Sequence, residues 1–562
     1  MDYYNRVNSD LLALIPPDAG MVVEVGCGAG ALGEAYRRLN PYCRYVGIEL
    51  NREAAERAAS RLSAVKSGDA ETLDIGEENV DCLVYGDVLE HMADPWATLA
   101  RHAGRIKEGG QVVACIPNIQ HWSVIIGLLQ GQWRYRDEGL LDRTHLRFFT
   151  LESIGELFAK AGLTVYEVRP RQTNPREAAG FHELLAPVAE RLGVDRAAFI
   201  NQTTAVQYLV RAVKGRPGRR LLIQTLLGET NVVCAPVRIH QPHSFMATIP
   251  GVRIRSQGKT ASLDGGQTGE EKIFIWQRIF PNEVGQQQQL IRCGYLTVAE
   301  MDDDPRHWPL HEETDFFAFR SVHAVQVSTE PLADFIRQYN PNVTVFPNQL
   351  ARLPAPRAYG DGPVGIFFGA INRENDWRPI LPALNAVLAK RRGRVTVKVV
   401  HDRRFFDALA TEDKEFTPFC VYPEYERLLR SCDIALLPLE PTSFNAMKSD
   451  LKFLECAGHG VAVLASPTVY AETVRDGETG FIYRTPDEFA ATLSRLIDDR
   501  DLRRSVAGRA YAWVAENRLL ARHYRQRYDW YLSLLDRLPE LNESLERRVP
   551  GIVSGTARLG KE

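Results

Sequence analysis

Residues 22–33 read VVEVGCGAGALG, and this stretch decides the first fold. An apolar run, then Gly26, Gly28 and Gly30, then the helix-forming ALGEAYRRL predict a buried strand that turns sharply into a helix. Glycine lets the backbone turn and approach a ligand without a Cβ in the way, and the helix start offers free N–H groups. Two carboxylates then narrow the ligand. Glu24 stands two residues before the first glycine, and Glu49 closes the next apolar run, RYVGIEL, 19 residues after Gly30. A carboxylate in the second position accepts hydrogen bonds from both hydroxyls of a ribose. A nicotinamide dinucleotide site is the direct competitor. It places its third glycine one residue later, where this chain has Ala31, and its pyrophosphate would be repelled by Glu24. An acid before the glycines suits a ligand with an ammonium group, which favours S-adenosylmethionine.

Outward from that loop, apolar runs alternate with helix-like stretches from residue 21 to about 115, which predicts an α/β domain with a parallel sheet. LTVYEVRPR (163–171) and TTAVQYLVRAVK (203–214) read as its closing strands, with the helix FHELLAPVAERL (181–192) between them. The basic Pro/Gly stretch KGRPGRR (214–220) reads as a linker, so a chain ending near 215 is expected to fold alone. Two more alternating units follow, divided by LARLPAPRAYGDGP (350–363). The expected division is 1–215, 216–355 and 356–540, with 541–562 a mobile tail that lacks a sustained period.

At ~150 residues per domain, 562 residues allow three or four domains. With 68 Lys and Arg against 71 Asp and Glu, the net charge of −3 gives no electrostatic case for nucleic acid. The nine cysteines are odd in number and scattered, and none forms a C-x-x-C pair, so neither a disulfide framework nor a zinc site is indicated. No run approaches the ~20 apolar residues of a membrane helix. These features predict a cytoplasmic protein without a transmembrane segment.

Residues 20–215 resemble a class I SAM-dependent methyltransferase, a Rossmann-like fold. The likeness rests on the glycine loop, SGDAETLDI (67–75) and DVLEHMADPWATLARHAGRIKEGGQVVACIPN (87–118). It implies that Gly26, Gly28 and Gly30 line the methionine moiety with Glu24 before them, that Glu49 holds the ribose, that Asp69 and Ala70 flank the adenine, and that Asp87 ends the fourth strand beside the donor. An alcohol acceptor also needs a base. His145, in LDRTHLRFFT, is the candidate, and His91 of LEHM is read as site wall.

In the C-terminal half the informative stretch is FNAMKSDLKFLECAGHGVAVLAS (444–466). If LKFLECAGHG is a helix, Lys448, Lys452 and Glu455 fall on one face near its start, a pattern suited to a diphosphate with a ribose one turn further on. This pattern resembles the two-lobed GT-B retaining glycosyltransferases of the family-4 type, over roughly 218–537. By that resemblance Glu455 is the nucleotide ribose ligand, Arg373, Lys448 and Lys452 are diphosphate contacts, and Lys452 is catalytic. That family often has two glutamates separated by seven residues. Lys448 stands at the first position here, with Asp450 weighed as a substitute. Asp302, Asp303 and Asp304 are expected to lie in the acceptor lobe, away from these lysines, and no metal is expected.

Together these features predict a bifunctional enzyme with S-adenosyl-L-methionine and a nucleotide sugar as co-substrates. It would act in bacterial surface-polysaccharide or glycoconjugate biosynthesis on a glycan, lipid-linked glycan or glycosylated metabolite, with peripheral association with membrane enzymes left open. The alternative is a methyltransferase whose C-terminal half is a noncatalytic glycan-recognition or assembly module.

Overall fold

The computed structural model describes residues 5–172, 176–228, 234–258, 262–278, 284–371 and 373–555. The chain forms two compact units. One runs to Arg220 and takes in Ala247–Arg253, and the other comprises Leu221–Met246 and the chain from Ile254 onward.

The first unit is built on β1 (Met21–Val25), β2 (Arg44–Glu49), β3 (Ala64–Ser67), β4 (Val80–Gly86), β5 (Ile106–Pro117), β6 (Leu163–Gln172) and β7 (Ala205–Lys214), in the order β3-β2-β1-β4-β5-β7-β6. Strands β1 to β5 run parallel, and β7 is antiparallel to both of its neighbours. Val22, Val23, Leu83, Val84, Val112 and Val113 are fully buried, as expected of central strands covered on both faces. Strand order reverses at β1, which pairs Val25 with Ile48 of β2 on one side and with Tyr85 of β4 on the other. The loops after these three strands therefore meet at the crevice where such sheets bind ligands.

Arg211 of β7 is 1% exposed. Its guanidinium donates to Glu167 of β6 at 2.7 Å, to the carbonyl of Ala247 at 2.7 Å and to the carbonyl of Thr248. The chain thus returns to the first unit after leaving it, so KGRPGRR is not a simple boundary. Sequence reading missed this because nothing in 247–253 marks it as the partner of a charge buried in β7.

The second unit contains two sheets. β8 (Leu221–Leu227), β9 (Val252–Gly258), β10 (Glu271–Gln277), β11 (Tyr295–Met301), β12 (Ala324–Val327) and β13 (Val343–Val345) lie in the order β13-β12-β11-β10-β8-β9. β14 (Val364–Gly369), β15 (Val395–Val400), β16 (Lys414–Thr417), β17 (Ile434–Leu437), β18 (Ala462–Ala465) and β19 (Phe481–Ile482) lie in the order β16-β15-β14-β17-β18-β19. These are two Rossmann-like lobes. The strands that lack an apolar signal, β3 (AVKS), β9 (VRIRSQG) and β16 (KEFT), are all edge strands, where half of the surroundings is not core.

The expected mobile tail is corrected for its described part. Helices span Tyr524–Asp536 and Leu538–Arg548, and Leu541, Leu545, Val549 and Ile552 are buried, the last three with Val284 and Phe317. Apolar residues about one helical turn apart were the overlooked signal. The rest of that stretch, 556–562, lies outside the described residues. Among the described residues no helix is long and apolar enough to cross a membrane.

Candidate functional site

In the first unit, Gly26, Gly28 and Gly30 all take left-handed φ angles of 73°, 53° and 79°. A Cβ at Gly26 would lie 2.4 Å from a methyl of Val88, so both conformation and space require glycine there. Glu49 lies against this loop. Its Oε2 accepts from the amide of Gly28 at 2.8 Å, and its Oε1 accepts from the amide of Asn51 at 2.9 Å. Asn51 in turn caps the helix Arg52–Ala58 through the amide of Ala54.

Glu24 is buried and accepts from the Tyr45 hydroxyl at 3.0 Å. Burial pushes its carboxyl up to about 8, the Tyr45 hydrogen bond opposes that rise, and the charge of Glu49 adds to it. The acid expected to attract an ammonium group is thus largely protonated at neutral pH.

Asp69 is exposed and accepts from the amide of Glu71 at 2.8 Å, while Arg101 holds the carbonyl of Ala70 at 2.8 Å. The Glu71 carboxylate, which sequence reading missed, accepts from Ala93 and Asp94 at 2.7 Å each and laces the turn after β3 to the loop after β4. Asp87 follows β4 with a φ of 54°, a strained conformation for a residue other than glycine and one that concentrates at functional sites. It accepts from the Gln207 amide at 2.6 Å, Gln207 accepts from Arg171 at 2.6 Å, and Arg171 also binds Asp10 at 2.7 Å. Burial raises the Asp87 carboxyl.

Three residues converge beside Asp87. The imidazoles of His91 and His145, 54 residues apart in the chain, stack edge to face at 4.8 Å. His91 Nδ1 lies 3.2 Å from the carbonyl of Thr144, and His145 Nδ1 lies 3.3 Å from that of Leu140. A carbonyl only accepts, so each Nδ1 carries a proton. Burial, then His91, lowers the His145 pKa, favouring a neutral ring. Glu90 completes the group. It is 1% exposed, neither carboxylate oxygen has a hydrogen-bond partner, and burial holds it well above the ordinary carboxylate range. Glu90, His91 and His145 bring ligand atoms within 4.8 Å of one another, a set able to hold a metal ion. Sequence reading had His91 as wall and passed over Glu90, although LEH places the two side by side.

In the second unit, Lys452 and Glu455 lie on the helix Leu451–Gly458, while Lys448 precedes it and is not on the shared helical face expected. Glu455 is buried and accepts from the Tyr422 hydroxyl at 3.0 Å and from that of Tyr425 at 3.1 Å. Lys452 donates to the Tyr425 oxygen at 3.1 Å, so Tyr425 links the two. Neither tyrosine was anticipated. Arg373 donates to Asn445 at 3.0 Å and lies 3.3 Å from Asp376; its neighbour Asn372 lies outside the described residues. Asp450 accepts from Arg518 at 2.7 Å and from the Thr473 hydroxyl at 2.8 Å.

The acidic triplet is not away from the lysines. Asp303 receives the Lys448 ammonium on both oxygens, at 3.0 and 3.2 Å, Asp302 binds Arg278 at 2.6 Å, and Asp304 binds Arg306 at 2.7 Å. Burial lowers the Lys448 pKa against the pull of Asp303.

Residues 2–168 match the family model of a methyltransferase domain, and residues 378–533 match a model described as glycosyl transferase-like. A ubiquinone biosynthesis O-methyltransferase of Cereibacter sphaeroides is 30% identical over 178 residues, covering 30% of this chain and 69% of that protein. Among solved structures, the crystal structure of TarM aligns at 10% identity and a TM-score of 0.37, covering 46% of this chain and 54% of that one. The N-methyltransferase NodS of Bradyrhizobium japonicum, in complex with S-adenosyl-L-homocysteine, aligns at 17% identity and a TM-score of 0.25, covering 37% and 85%.

Proposed function

The chain belongs to the methyltransferase family through residues 2–168 and carries a glycosyl transferase domain over 378–533, and from that premise we propose that this bifunctional transferase moves the methyl group of S-adenosylmethionine at its first site and a sugar from a nucleotide donor at its second. One observation carries the first half. Glu49 spends one lone pair of each oxygen on the amides of Gly28 and Asn51, which fixes the carboxylate beside the glycine loop and leaves two lone pairs for ribose hydroxyls. Gly26, Gly28 and Gly30 then line the methionine moiety, Asp69 and Ala70 the adenine, and Asp87 the methyl end. The positive charge of a ligand ammonium near Glu24 lowers the pKa of that carboxyl, and its proton is lost to solvent. His145, with Nε2 open, accepts the proton of an acceptor hydroxyl. The relative's O-methyltransferase name supports an oxygen acceptor.

In the second unit Glu455 takes the donor ribose, Lys452 neutralises the leaving diphosphate, and Arg373 and Lys448 hold its remaining charge. The acceptor belongs to surface-glycan or glycoconjugate synthesis in the cytoplasm. Calorimetry with S-adenosylmethionine and its demethylated product tests the first site, and binding of NAD instead overturns it. A panel of nucleotide sugars, followed by nucleotide release, tests the second. Failure of every donor to bind or turn over hands that half to the noncatalytic alternative.

A second reading of the methyl acceptor side rests on Glu90, whose orphaned carboxyl faces two open imidazole nitrogens. A divalent cation held by Glu90, His91 and His145 would activate the acceptor oxygen in place of a histidine base. Loss of methyl transfer on chelation, restored by added magnesium, manganese or zinc, selects the cation. Unchanged transfer selects the base.

A further inference from the structure

The contacts that hold Lys448 bear on how the second site, read as a nucleotide-sugar transferase, is loaded. The segment 442–450, which includes the short helix Ser443–Ala446, carries this lysine and belongs to the lobe of β14 to β19, yet residues before that lobe contact it at several points. His307 packs on Phe444 at 5.3 Å, the Thr329 hydroxyl donates to the carbonyl of Met447 at 2.9 Å, and Asn348, in the connection that follows β13, donates to the Ser449 hydroxyl at 2.7 Å. Asp303, just beyond the carboxyl end of β11, takes the ammonium itself. The Lys448 and Asp303 side chains are 16% and 19% exposed, and the ammonium also lies 4.2 Å above the Phe444 ring.

A pair this shielded from water is weak evidence for stability, because desolvation offsets most of its attraction. It acts instead on whatever charge next approaches the lysine. A nucleoside diphosphate brings more than one negative charge to Lys448, Lys452 and Arg373, and no anion can reach Lys448 without competing with Asp303. Arg278 makes the exchange feasible. Its guanidinium is 3.7 Å from Asp303 while bound to Asp302, so the displaced carboxylate keeps a cation beside it. Arg278 holds a left-handed φ of 52°, an uncommon conformation for an arginine.

We propose that Asp303 is the resident counter-ion of Lys448 and that the donor diphosphate displaces it toward Arg278. The inference rests on the nucleotide-sugar reading above.

Calorimetric titration of the full chain with UDP, GDP, ADP and dTDP tests the exchange. Asp303→Asn removes the competitor and is expected to tighten the nucleotide that binds wild type by about tenfold. Asp303→Glu keeps the charge and is expected to stay within about twofold of wild type, which separates competition from loss of shape. Lys448→Met is expected to weaken binding and to abolish most of the gain from Asp303→Asn when the two are combined. Wild-type binding that Asp303→Asn leaves unchanged or weakens, or a gain that persists in full without Lys448, overturns the exchange alone. Binding absent from every protein overturns the nucleotide-sugar reading and the exchange with it.

Discussion

Glu49 and Glu455 invite comparison, because each is the buried acid proposed to hold a ribose and each already uses two lone pairs. Glu49 spends them on backbone amides, those of Gly28 and Asn51, whereas Glu455 spends them on the hydroxyls of Tyr422 and Tyr425. Backbone donors are set by chain path. No substitution elsewhere removes them, and the carboxylate is held as rigidly as the sheet. Side-chain donors can be deleted one by one, so the geometry at Glu455 is adjustable, and Tyr425 ties it to Lys452. The first site is fixed by topology and the second is tuned by composition.

The largest expected effect is that of Glu49→Ala. Loss of charge-assisted hydrogen bonds worth ~1.5–3 kcal/mol each weakens S-adenosylmethionine binding by ~10-fold or more in calorimetry. Retained affinity would break the comparison at its fixed end. Next, Glu455→Ala is expected chiefly to raise the donor KM, while Lys452→Ala lowers kcat, because charge on the leaving diphosphate grows toward the transition state. Steady-state kinetics with the active donor separates the two. Tyr425→Phe sharpens the contrast. It frees one oxygen of Glu455 and one proton of Lys452 together, so KM and kcat should both worsen, by ~3- to 10-fold, about the value of one hydrogen bond. No change in either would mean that Glu455 is held by its own helix.

The smallest effect concerns pH. The Glu24 carboxyl is raised in the fold from 4.5 to about 8, so between those values the folded chain binds more protons than the unfolded one and stability falls as pH rises. The contribution is complete below the unfolded value and lost on passing pH 8. Glu24→Gln should therefore raise Tm at pH 8, by ~2–4 °C for each kcal/mol relieved, and leave it nearly unchanged at pH 5. A Tm that falls equally at both values would show that Glu24 is charged in the fold.

The same contrast explains what the sequence discloses. Glycines, Glu49 and the strand ends are legible because neighbours on a parallel sheet put their loops together whenever spacing is regular. Lys452 and Glu455 are legible because one helix carries both. The partners that come from elsewhere are not: Lys448 meets Asp303 across 145 residues, and Tyr425 meets Glu455 across 30. His91 and His145 meet only through the path of the chain after β5, where no period governs the sequence. Asp87 and Arg278 carry left-handed strain that their residue types do not announce.

Arg211 gives the re-entrant segment a temporal meaning. A ribosome delivers the last strand of the first sheet, β7, at Lys214, but the carbonyls of Ala247 and Thr248 that satisfy the buried guanidinium arrive some ~34 residues later, ~2–7 s at usual elongation rates. In that interval the Arg211 guanidinium has Glu167 of β6 as its partner but lacks the two carbonyls. A chain that stops at 215 therefore lacks both carbonyls, and one that runs past Arg253 keeps the whole first compact unit.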